Sequence, residues 1–171
     1  MTTLLQLSSL VLTLTSPQQN NRISMHKEKR SYMYPSGFVQ MSFTLTEAAI
    51  RWLNGTTNND KGTPISNAAL FQDLLVRMQL TSGNTDNRFR RPQTLQAGMS
   101  QYSELMLSQQ WNMGRKRIRG LLDTMTRTGL IRTYPSTIAS IMVFPCIDSW
   151  ILPDASITAN PYQGIKSREE R

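Results

Sequence analysis

The sequence predicts a mainly α fold carrying one small β-hairpin, and three observations predict it. The run Trp111–Ile131 opens with Arg115, Lys116, Arg117 and Arg119 and carries Ile118, Leu121, Leu122 and Met125 at i, i+3, i+4, i+7 spacing, the period of an amphipathic helix. It is preceded by a second helical stretch, SQYSELMLSQQW, with a break at Trp111-Asn112-Met113. It is followed by two β-prone runs, LIR and IASIMVF, around the turn-forming Tyr134-Pro135-Ser136. Helix, tight turn, helix and hairpin, in that order, describe a winged helix-turn-helix (α+β).

Taken along the chain, residues 1–36 divide into an apolar start, with its apolar side chains at 4–14, and a polar connector. The connector's proline, asparagines and mixed charges predict a partly flexible N-terminal arm. GFVQM, from Gly37, alternates as a short strand does. Thr44 followed by Glu47 carries the capping-box signature of a first helix, filled out by Ala48, Ile50, Trp52 and Leu53 and stopped at Asn54-Gly55. TTNNDKG reads as a polar loop, and Thr63-Pro64 as the cap and first position of a second helix. That helix places Ala68, Phe71, Leu74, Leu75 and Met78 on one face.

A long loop follows, with a short strand near Thr94–Gln96 and the basic tetrad RFRR at 88–91. Ser100 is read as the cap of the third helix. Thr128-Gly129 ends the fourth, glycine supplying a left-handed stop. The predicted division is therefore an arm at 1–36, a winged-helix DNA-binding domain at 37–150 and a C-terminal tail at 151–171.

Composition narrows the function. The 171 residues carry a formal charge of +8, which favours a polyanionic partner, nucleic acid before an acidic membrane surface. The single cysteine, Cys146, excludes an internal disulfide and a cysteine-based zinc site, and in IMVFPCI it reads as a small buried hydrophobe. The single histidine, His26, leaves little material for a catalytic triad. The aspartates at 60, 73, 86, 123, 148 and 154 show no metal-ligand spacing. No enzyme, no cofactor, no metal and no catalytic residue are expected. The first residues lack the basic region of a signal peptide and are too polar for a membrane span. A cytoplasmic protein with no membrane partner is expected.

The basic helix supplies the chemistry. At about 100° per residue, Lys116, Arg119, Asp123 and Arg127 fall opposite the apolar stripe, with Arg117 at the edge. Arg115 projects from the first turn, where recognition helices meet base edges in the major groove. Gly114 leaves the helix start uncrowded, and a helix N-terminus itself favours phosphate. The hairpin adds Arg132, Tyr134 and Thr137 as phosphate or minor-groove contacts. Double-stranded DNA is the expected partner.

The stretch from Gly37 to about Trp150 resembles the N-terminal winged-helix module of phage replisome organisers and primosomal replication-initiation proteins. The resemblance is carried by the strand GFVQM, the helix ALFQDLLVRM, the glycine before a serine-capped helix in QAGMSQYSEL, the pattern LLDTMTRTGLI and the strand TIASIMVF, with Trp150 in the place of a usual aromatic. It implies non-enzymatic binding of double-stranded DNA in replication initiation or transcriptional control of a phage, plasmid or mobile element. The first helix departs from the family in carrying one tryptophan where an aromatic cluster is common. Members often continue into a second domain, and this chain ends soon after the hairpin. The bare DNA-binding half, or a relative used as a repressor or plasmid regulator, is therefore implied. The alternative is a protein-interaction or dimerisation module without base readout, with a second copy of the chain or a replisome protein as partner.

Overall fold

The computed structural model describes residues 39–84, 94–137 and 140–164. The arm at 1–36, the tetrad at 88–91 and residues 165–171 lie outside the described residues. In chain order the elements are β1 (Gln40–Phe43), α1 (Glu47–Leu53), β2 (Thr56–Asn58), β3 (Pro64–Ser66), α2 (Asn67–Leu75), β4 (Gly83–Asn84) and β5 (Thr94–Leu95). There follow β6 (Met99–Tyr102), α3 (Glu104–Trp111), α4 (Arg115–Arg127), β7 (Arg132–Tyr134), β8 (Ser140–Val143), β9 (Ile147–Ile151) and β10 (Ile157–Ala159).

The expectation of a mainly α fold is corrected, because among the described residues helix and strand contents are similar, 32% and 28%. The strands form small antiparallel sheets, two of them three-stranded, in the orders β1-β9-β10 and β6-β8-β7. The expected hairpin, β7–β8, is thus joined by β6, which enters the sheet before α3 and pairs with β8.

Three local readings change for identifiable reasons. The polar loop and helix start between residues 56 and 66 form a β-hairpin, with Thr57 opposite Ile65 and Asn58 opposite Pro64. Its turn is closed by the Asn59 side chain, whose Oδ1 accepts from the amides of Lys61 (3.0 Å) and Thr63 (2.9 Å). Gly62 there adopts φ +77°, a conformation glycine enters without steric cost. Pro64 therefore starts a strand rather than a helix, a position where its missing N–H is tolerated. Helix α2 begins only at Asn67. That buried side chain donates to the Trp52 carbonyl (2.7 Å) and accepts from Thr57 Oγ1 (2.6 Å), fixing the hairpin's base.

The caps also move. Thr46, not Thr44, caps α1: its Oγ1 accepts from Ala49 N (3.0 Å) and donates to the Thr128 carbonyl (2.8 Å). Thr44 instead donates to Asp148 (2.8 Å). Ser100 lies within β6, and Ser103 caps α3. The strand expected from Gly37 to Met41 is found at Gln40–Phe43.

The largest difference is at the C-terminal end. Residues 151–164, expected as a tail, complete a sheet: β9 is its central strand, flanked by β1 and β10, with Trp150 paired to Met41 on one side and Thr158 on the other. Trp150 is fully buried and its Nε1 donates to the Leu80 carbonyl (3.0 Å), meeting the usual need of a buried indole for a partner. Asn160, also buried, donates through Nδ2 to the carbonyls of Phe144 (2.9 Å) and Ile147 (2.8 Å). One side chain thereby ties the end of β10 to the β8–β9 turn.

The core joins both three-stranded sheets to the helices. Leu74, Leu107, Ile118, Met125, Phe144 and Trp150 sit at its centre, with Phe71 and Phe144 packed edge to face at 6.2 Å. Cys146 lies in this core, as expected, and burial pushes its thiol up to about 12. It is therefore not a thiolate at neutral pH.

Asn160→Ala is expected to destabilise the protein by about 1–3 kcal/mol, because it strands two buried carbonyls. Urea denaturation measures this, and a neutral result would mean that the C-terminal segment is peripheral to the fold.

Candidate nucleic-acid interface

The candidate surface is built outward from the core. Leu107 and Trp111 of α3 are buried, and the Trp111 indole donates to Asp73 of α2 (2.9 Å). The same carboxylate accepts from Gln110 (2.7 Å) and pairs with Arg77 (3.2 Å), so α3 is braced against α2 by a polar cluster as well as by apolar burial. The chain then turns through Asn112 at φ +54°, a left-handed conformation that asparagine tolerates better than most residues. Met113 is buried, and its carbonyl accepts from Ser108 Oγ (2.6 Å). The α3–α4 turn is thus held from both ends.

Helix α4 buries Ile118, Leu121, Leu122 and Met125. Its end follows the sequence reading: Gly129 at φ +82° donates to the Thr126 carbonyl (3.1 Å) and Leu130 to the Met125 carbonyl (3.0 Å). This pair of bonds is the Schellman stop. With the stripe inward, Lys116, Gly120, Asp123 and Arg127 lie exposed on the outward face.

The flanking arginines are not free. Glu104, at the start of α3, accepts from Arg119 Nε through both oxygens (2.9 and 3.0 Å) and pairs with Arg115 (3.6 Å). The bond from Arg119 holds the Glu104 carboxyl below the usual glutamate range. On the other flank Arg117 pairs with Asp60 of the β2–β3 turn (2.9 Å). Asp60 also accepts from the Gly114 amide (2.6 Å). The helix start that reads as uncrowded, and open to phosphate, thus holds a carboxylate of this chain. Among the described residues Lys116 makes no ion pair, and Arg127 makes only a long bond to Thr124 (3.3 Å).

Arg132 and Tyr134 lie two apart on β7, an outer strand of its sheet. Tyr134 is 49% exposed. Arg132 is half-buried and reaches toward the Gly164 carbonyl (3.5 Å), and Tyr134 lies close enough to Tyr162 to raise that phenol's pKa, although burial is the larger cause. Their contacts thus run to the C-terminal segment. The sequence-predicted residues form two groups, one around α4 and one on β7 and the bend that follows it, where Thr137 lies.

Asp60, Glu104 and Gly120 escape the sequence reading. Glu104 is visible only as the residue after a serine cap, and Asp60 only as one charge in a polar loop. Among the described residues no cluster of three histidine, cysteine or acidic side chains is placed to hold a metal, and no helix is long and apolar enough to cross a membrane. No protein-family model matches the chain, and neither curated proteins nor solved structures provide a match.

Because Glu104 has a depressed pKa when folded, its contribution to stability is present above the unfolded pKa and lost as pH falls through the folded one. Glu104→Gln is therefore expected to be less stable than the wild type at neutral pH, and the gap is expected to close in strong acid. Denaturant midpoints at the two pH values check it.

Proposed function

We propose that this protein binds double-stranded DNA through the outward face of α4. It acts without catalysis in replication initiation or transcriptional control of a phage, plasmid or mobile element, in the cytoplasm. The net charge of +8 and the Lys116–Arg127 face support the polyanionic partner. The resemblance to replisome organisers supports the biological setting.

The observation that carries the reading is Gly120. It lies in the interior of α4 on the exposed face, and a Cβ added there meets nothing within 4 Å. Glycine in a helix interior costs about 0.5–1 kcal/mol relative to alanine. Among the described residues neither a turn nor a packed neighbour accounts for it. Close approach of a second molecule does, and the side chains around it, Lys116, Arg119 and Arg127, suit phosphates and guanine edges.

The bonds to Glu104 and Asp60 do not oppose this reading. Exposed ion pairs contribute little net stability, so an arginine exchanges a carboxylate for a phosphate at small cost. A protein partner is the second reading, favoured by Leu105, which is 54% exposed on α3 beside Glu104. Light scattering with and without duplex separates a DNA complex from self-association.

Gly120→Ala is the direct test. It is expected to raise stability by about 0.5–1 kcal/mol while weakening duplex binding several-fold in fluorescence anisotropy. Changing Arg115, Lys116 and Arg119 together to Ala is expected to abolish binding. Unchanged affinity in both variants would overturn the proposal.

A further inference from the structure

We propose that the β2–β3 hairpin is a second wing of the interface and that Lys61 on its turn contacts the DNA backbone beside α4. The inference rests on the DNA-binding reading above and deepens it by adding a phosphate-contacting element.

The hairpin is fastened to the helix-turn-helix at several points. The Asp60 amide donates to the Asn112 carbonyl (3.0 Å), inside the α3–α4 turn. The Asp60 carboxylate accepts from Gly114 N (2.6 Å) and from Arg117 (2.9 Å), and Arg117 donates further to the Asn58 carbonyl. At its other end the hairpin is held by Asn67, whose amide donates to the Gly55 carbonyl (3.0 Å). The turn is closed internally by Asn59 and Gly62. Lys61 is therefore presented from a backbone that is already ordered, which reduces the entropic cost of using it.

Position and charge agree. Around the axis of α4, Arg115 and Arg119 flank the outward face on the side of Glu104 and α3. Arg117 flanks it on the opposite side, where the hairpin lies. The exposed face is thus bracketed by α3 and by the hairpin turn. The Asp60 charge is met by Arg117 and by the start of α4, so it does not cancel the lysine next to it. Lys61 is exposed and has no ion-pair partner among the described residues. A flexible ammonium of this kind serves phosphate as a point charge, without base readout.

The test uses the full chain and a duplex of mixed sequence, with affinity measured over a range of salt. Lys61→Ala is expected to leave stability unchanged and to lower the slope of log affinity against log salt by about 0.9, the loss of one phosphate contact. Asp60→Ala removes the two carboxylate bonds to α4 and leaves the backbone bond to Asn112 and the Arg117 bond to Asn58, so the turn is held more loosely and in that background Lys61→Ala is expected to change the slope by less. A wild-type chain without salt-dependent duplex binding overturns the DNA reading and the wing with it. Salt-dependent binding with the same slope in Lys61→Ala overturns the wing alone. Tighter binding by Asp60→Ala, with the full Lys61 effect retained, overturns the anchoring role and makes Asp60 a competitor for phosphate. If Asp60→Ala fails to fold, the single Lys61 variant still decides.

Discussion

The orientation of α4 depends on the burial of one stripe of side chains. Ile118 and Met125 have no exposed surface, and Leu121 and Leu122 almost none. Burying such side chains yields about 1.5–3 kcal/mol each, whereas exposed ion pairs in general contribute at most about 1 kcal/mol. The stripe therefore sets which way the helix faces, and the ion pairs follow. The Schellman stop at Gly129 and the bond from Thr46 to the Thr128 carbonyl fix where the helix ends against the core. Lys116, Gly120 and Arg127 are outward because four apolar residues are inward.

On this scaffold the acidic residues act as holders of arginine. Glu104 occupies Arg115 and Arg119 from α3, and Asp60 occupies Arg117 from the hairpin. Both carboxylates come from elements that pack beside α4, so the guanidinium groups are gathered around the outward face rather than left to wander in solvent. Asp60 additionally takes the helix start, where a favourable dipole end and the Gly114 amide suit any anion. The surface is thus positively charged overall and locally compensated.

How far the sequence carries the structure depends on whether a feature is local. The stripe of α4, its glycine stop and the break at Asn112 are written in short stretches and are found where the residues place them, and the hairpin β7–β8 is found with its first strand moved into the expected turn, at Arg132–Tyr134. Features set by partners distant in sequence were not legible. Thr63-Pro64 suits a helix start and an edge strand equally well, and only the pairing of Thr57 with Ile65 decides for the strand. Ser100 suits a cap as well as it suits β6, and the pairing with Met142 decides that case. The prolines at 153 and 161 make the C-terminal stretch look like a tail. Trp150 and Asn160 are nonetheless buried by contacts with Leu80, Phe144 and Ile147. The same limit hid the site's acidic partners, because Glu104 and Arg119 meet only when α3 folds onto α4.

The central claim is that the outward face of α4 is the contact surface. Amide chemical shifts recorded while a DNA duplex is added to the full chain test it most directly. The largest changes are expected on Lys116, Gly120 and Arg127, with smaller ones on the β2–β3 turn and almost none in the β1-β9-β10 sheet. Changes centred on that sheet, or none at all, would contradict it.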